Sequence, residues 1–120
     1  MPSTIQAVKA DDAFTDRDHG FQRWWPICRN TVGSETISMA RGILKPGQRG
    51  TLHVHDVDTA IYSISGSVIA LFETDGGLQE VAAGAGVALF IPAGLPHAPF
   101  NPSHTEDYVY VVARPSGTPD

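Results

Sequence analysis

The chain has 120 residues, the length of one ordinary domain and too short for two; surface scaling gives roughly 6,300 Å² folded against roughly 18,600 Å² extended, enough burial for a core without staples. Eight Lys and Arg against thirteen Asp and Glu leave a formal net charge of −5 with no basic stripe, which argues against a surface that tracks nucleic-acid phosphates. The single cysteine, Cys28, excludes an internal disulfide, and no secretory apolar region or uncharged span of about 18 residues is present, so the sequence reads as a soluble cytoplasmic chain without a membrane partner.

In chain order, residues 1–34 stand apart, with Asp11, Asp12, Asp16 and Asp18 followed by the aromatic group Phe21, Trp24 and Trp25. This segment reads as an N-terminal arm. Two exposed indoles are costly in water, so Trp24-Trp25-Pro26 is read as an anchor to the main body or to another subunit, the alternative being a lid over a pocket. From Glu35 onward, short runs of β-branched and apolar residues alternate with Gly, Pro, Asp and Asn, which predicts strands over 36–44, 50–55, 59–74, 78–82, 87–91 and 107–113. The run 59–74 contains Gly66, where it bends or passes between two pairings. Asp75-Gly76-Gly77 supplies a tight hairpin. Because no 3.6-residue apolar stripe is long enough for a core helix, the fold class is all-β, a single sandwich or barrel over 35–115, with 116–120 as a flexible tail.

Three histidines carry the chemistry. His53 and His55 are two apart, so strand geometry puts both imidazoles on one face. His97 follows the turn Pro92-Ala93-Gly94-Leu95-Pro96 and can approach the same point from another strand. Three neutral imidazoles from two strands leave open positions for water or substrate, as a catalytic metal requires. Spacing alone equally allows an edge pair and a turn residue with no ligand. His104, in the polar loop 101–106, and His19, in the acidic arm, read as solvated surface residues.

The stretch from Gly47 through His53-Val54-His55 to Gly66 resembles the first motif of the cupin superfamily, and Gly86 through Pro92-Ala93-Gly94-Leu95-Pro96-His97 to Asn101 matches the second at every fixed position. The resemblance implies a small single-domain cupin, a double-stranded β-helix or jelly-roll-like barrel, holding a divalent transition metal on His53, His55 and His97. The sequence departs from the pattern at Thr59, which stands where the family usually places a metal-binding Glu. Asp58 is a candidate fourth ligand if a turn resets the register; otherwise the centre is three-histidine or empty.

With His53 and His55 facing inward, alternation also aims Thr51 at the pocket, and Thr59 lies beside the metal position. Arg41, a charge in an apolar strand, either fixes a substrate anion inside the barrel or stands exposed on an edge. Tyr108 and Tyr110 share one face and both line the cavity or both pack outward, while Phe100 shapes the mouth. The leading function is a metal-dependent small-molecule enzyme of dioxygenase type using Fe(II), with an anionic substrate such as a β-diketone, enediol or catecholate. Zn, Ni, Mn or Cu at the same histidines fits a non-redox isomerase or cyclase, and the Thr59 departure favours a non-catalytic ligand binder. A homodimer is expected, because a small barrel's outer apolar sheet needs cover.

Overall fold

A computed structural model describes residues 4–120. Its strands are β1 (Phe14–Asp16), β2 (Gln22–Ile27), β3 (Ser38–Leu44), β4 (Thr59–Ser65), β5 (Ser67–Thr74), β6 (Gly77–Gly84), β7 (Ala88–Ile91), β8 (His97–Phe100) and β9 (Tyr108–Arg114), with one short helix, α1 (Arg29–Val32). They form a six-stranded sheet in the order β1-β2-β3-β9-β4-β7 and a three-stranded sheet in the order β6-β5-β8, every pairing antiparallel. The fold is all-β, a two-sheet jelly-roll barrel. The described residues expose 6896 Å², close to the value mass scaling gives for a chain that closes its own core.

Alternation builds the interior. On β9, Tyr108, Tyr110, Val112 and Arg114 are buried and the intervening residues are not. On β3, Ser38, Ala40, Gly42 and Leu44 are buried, and Gly42 lies opposite Tyr110 in the ladder. A Cβ on Gly42 would sit 2.3 Å from the Tyr110 ring, so this glycine gives the tyrosine its place in the core. Gly66 is where the chain leaves the large sheet for the small one. It takes φ +79°, and a Cβ there would come within 2.2 Å of the Asp107 carbonyl oxygen. The β5–β6 hairpin closes Thr74 on Gly77 through Asp75-Gly76.

Three segments differ from their sequence expectations. Residues 50–55 form no continuous strand: they hold only the isolated bridge of His53 to His97, with Arg49 bridged to Phe100 just before them. The partner, β8, carries Pro99, which has no N–H to continue a ladder. The segment 14–27, set apart by composition as an arm, contributes β1 and β2 to the large sheet. Its alternation is hard to read because Arg23 occupies an inward position, made tolerable by a 3.0 Å ion pair with Asp16. Trp25 is fully buried there. The segment 116–120, expected to fray, is docked: the Gly117 carbonyl accepts from the Arg29 amide at 2.7 Å, and Asp120 reaches the histidines.

Candidate metal centre

Four imidazoles meet at one end of the barrel. Ring centroids lie 4.4 Å apart for His53 and His97, 4.8 Å for His53 and His55, and 5.3 Å for His55 and His97. Imidazoles sharing one ion at a nitrogen distance of about 2.0–2.1 Å have centroids about 4.5 Å apart at a right angle and about 5.2 Å at the tetrahedral angle. The ring spacing of these three is in the range for ligands of one ion, although His97 lies outside the group whose ligand atoms come within 4.8 Å of one another. His19 joins them, stacked on His53 at 3.8 Å and 5.5 Å from His55. The residues whose ligand atoms all lie within 4.8 Å of one another are His19, His53 and His55.

Hydrogen bonds decide which nitrogens are free. His53 Nδ1 lies 2.6 Å from the Thr51 carbonyl oxygen and His97 Nδ1 lies 2.8 Å from that of Leu95. A carbonyl only accepts, so each Nδ1 carries the proton and each Nε2 keeps its lone pair, the arrangement typical of metal-bound histidine. His55 is engaged on both sides: Arg114 donates to Nε2 at 3.0 Å, and Nδ1 donates to the Asp120 carboxylate at 3.1 Å. For His55 to ligate through Nε2 it must give up the Arg114 bond; the guanidinium keeps Thr59 Oγ1 at 2.9 Å and the Asp120 main-chain oxygen as acceptors. The donor set fits a divalent transition metal on these terms.

Burial, the largest cause in each case, holds all four imidazoles below the ordinary histidine range, His53 down to about 3 and His55 to about 4. The Arg114 guanidinium adds to the lowering at His55 and His97. All four are neutral at pH 7, the form that ligates. Burial also draws Arg114 down to about 10, still cationic at neutral pH.

Behind the histidines, between the sheets, lies a cavity of about 40 Å³ that Thr59, Tyr108, Tyr110, Arg23 and Arg114 help to line. A larger apolar hollow of about 390 Å³ lies beside β7, lined by residues that include Phe72, Phe90 and Leu95, and His97 is on the wall of both. Thr59 and Tyr110 thus face the cavity. Other expected residues do not. Thr51 is exposed, because 50–55 is not a regular strand and its alternation fails there. Arg41 points outward from β3 with its guanidinium 4.9 Å from the centre of the Trp24 ring. Phe100 lies under Arg49 at 4.2 Å and is outside the cavity wall. Asp58 is exposed and accepts the Ala93 amide at 2.9 Å, bracing the turn before His97, so it is turned away from the ion position.

Sequence reasoning missed His19, Arg23 and Arg114. The alternation that pairs Tyr108 with Tyr110 extends to Arg114, and that signal was available. His19 lies in a polar loop without period, and its side chain is only 12% exposed, which corrects the surface reading; His104 is exposed.

A two-sheet jelly-roll barrel with motif histidines gathered at one end defines the cupin class of protein. The family model Cupin_2, described as Cupin domain, matches residues 40–113, and the chain belongs to that family. Similar solved structures include Bacillus subtilis oxalate decarboxylase described with Mn(II) centres, at 22% identity and TM-score 0.78 over 99% of this chain and 32% of that one. A tryptophan-to-tyrosine variant of the same enzyme matches at 23% identity and TM-score 0.76 over 97% of this chain and 31% of that one. The chain therefore spans about a third of the length of these structures, and the likeness establishes the fold. A comparison with curated proteins gives no match. Among the described residues, no helix is long and apolar enough to cross a membrane.

Proposed function

We propose that the chain holds a divalent transition metal on His53, His55 and His97 and acts on a small anionic, oxygen-bearing molecule, with Fe(II)-dependent dioxygenase chemistry as the leading reaction. The observation that carries this reading is the pair of fixed tautomers: His53 and His97 each have Nδ1 tied to a carbonyl, which leaves Nε2 free beside a cavity with two cationic walls. When bound, the metal supplies Lewis acidity and, as Fe(II), electron transfer to O₂. Arg114 attracts and orients the anion. Arg23 contributes less, because Asp16 neutralises it. The cavity has room for about three water-sized groups and so takes the charged head, while the apolar hollow beside β7 receives the remainder. The oxalate decarboxylase structures make Mn(II) and a small dicarboxylate part of the same screen.

One observation favours a second reading, a ligand-binding barrel without turnover. Arg114 already occupies His55 Nε2, and Thr59 offers a hydroxyl where a carboxylate would hold the ion. Anaerobic metal analysis of wild type and His53→Ala, followed by oxygen uptake across β-diketones, enediols, catechols and oxalate, separates the two. The enzyme reading expects one metal per chain, lost in His53→Ala, and substrate-dependent uptake. Anion binding without metal or uptake supports the binder. We also infer a homodimer through the outer face of the large sheet, where Tyr62 is 50% exposed and Phe90 69% exposed on adjacent strands.

A further inference from the structure

The family pattern asks for a carboxylate at the position of Thr59, yet the Thr59 hydroxyl accepts from Arg114, and Asp58 braces a turn. A side chain from outside the motifs stands in the neighbourhood instead. His19 Nε2 is buried without a hydrogen-bond partner, one of two such side-chain atoms among the described residues, the other being Ser38 Oγ. Its nearest carboxylate oxygen, Asp120 Oδ1, is 3.9 Å away, beyond hydrogen-bond reach. Buried polar atoms almost always have partners, so an unpartnered imidazole nitrogen next to two other ligand-bearing residues needs an explanation.

The loop that carries His19 is held in place. The Thr51 amide donates to the His19 carbonyl at 2.9 Å, and the Gln48 side-chain amide donates to the Gly20 carbonyl at 3.0 Å. A turn closes beneath it, with the Gly20 amide donating to the Arg17 carbonyl at 3.0 Å and Gly20 at φ +92°. The segment preceding His53 thus clamps the backbone of His19; the two rings stack at an interplanar angle of 10°, and the His19 ring must turn out of that stack for its Nε2 lone pair and that of His53 to meet at one ion.

From the orphaned Nε2 and the ligand-atom spacing we propose that His19 is a nitrogen ligand of the metal centre, replacing the carboxylate that Thr59 does not supply. This rests on the metal reading above. The centre is then built from both the barrel and the β1–β2 loop, with His19 joining His53, His55 and His97. A nitrogen in place of a carboxylate gives a more neutral, softer ligand set, which shifts preference away from Mn(II) and toward Co(II), Cu(II) and Zn(II).

The test uses the whole chain and the metal alone. Co(II) titrations of wild type, His19→Ala, His53→Ala and the exposed control His104→Ala yield affinity and the visible ligand-field spectrum. The proposal expects His19→Ala to bind at least about tenfold more weakly with a changed spectrum, and His104→Ala to match wild type. Unchanged affinity and spectrum in His19→Ala, with binding abolished in His53→Ala, overturn the role of His19 alone. Unchanged binding in His53→Ala removes the metal reading itself. Should His19→Ala not fold, side-chain ¹⁵N NMR of the wild-type chain with Zn(II) decides the matter. A large shift of His19 Nε2 on metal addition supports ligation, and an unmoved resonance overturns it.

Discussion

Arg114 links three things that the fold otherwise keeps apart. Its guanidinium donates to Thr59 Oγ1, to His55 Nε2 and to the main-chain oxygen of Asp120, so one side chain ties β9 to β4, to the histidine segment and to the end of the described chain. Arg114→Met should cost about 1–3 kcal/mol through the acceptors it leaves unpaired, measured by urea unfolding. It should also tighten Co(II) binding, because His55 Nε2 is released and a fixed positive charge is removed. Weaker metal binding in that variant would contradict the placement of the cation beside the ion. The histidines set a pH dependence whose sign follows from their lowered values. Unfolded imidazoles bind protons near pH 6.5, whereas folded His53 and His55 do so only near 3 and 4. Their contribution to stability is therefore complete above about pH 6.5 and is lost as pH falls toward the folded values. Denaturant midpoints of metal-free protein should decline between pH 6.5 and 4, and a His53→Ala, His55→Ala double variant should flatten that decline.

At the scale of elements, the barrel depends on where one sheet hands over to the other. Gly66 needs both its positive φ and its missing Cβ. Gly66→Ala should destabilise by about 1–3 kcal/mol or more, since strain and a backbone clash add, read as a lower thermal midpoint with a retained β-type circular dichroism spectrum. Strand β2 is the other test. Trp25 is fully buried and bonded through its indole N–H to Asp16, so Trp25→Ala should cost about 3–5 kcal/mol and release the segment that carries His19. Limited proteolysis between β1 and β2 would report it. Most strands were legible from period-2 alternation and turn residues, including the division at Gly66. Strands β1 and β2 were obscured by a buried charge, Arg23, that makes sense only beside Asp16. Strand β8 was hidden because Pro99 and its two neighbours make up three of its four residues, and Pro96 precedes the first.

For the whole molecule, the question is what covers the outer apolar surface. Outward residues Tyr62 and Ile64 on β4 and Phe90 on β7 lie together on the large sheet. If a second copy covers them, sedimentation should give a dimer for wild type and a monomer for Phe90→Glu. A wild-type monomer would contradict the dimer. Such an interface also bears on the apolar hollow beside β7, since Phe90 lines its edge.

Local rules suffice for the all-β class, because turn chemistry and side-chain alternation act over a few residues; His53, His55 and His97 stand out through their match to the cupin motifs, since 50–55 is not the regular strand that alternation assumes. Local rules do not say which distant segments face one another. Folding decided that His19 leans on His53 from the β1–β2 loop, that Arg114 fills the space a carboxylate at Thr59 would contest, and that Asp58 and Arg41 turn away. Those outcomes depend on contacts between residues many positions apart, where burial and hydrogen-bond satisfaction outweigh anything readable along the chain.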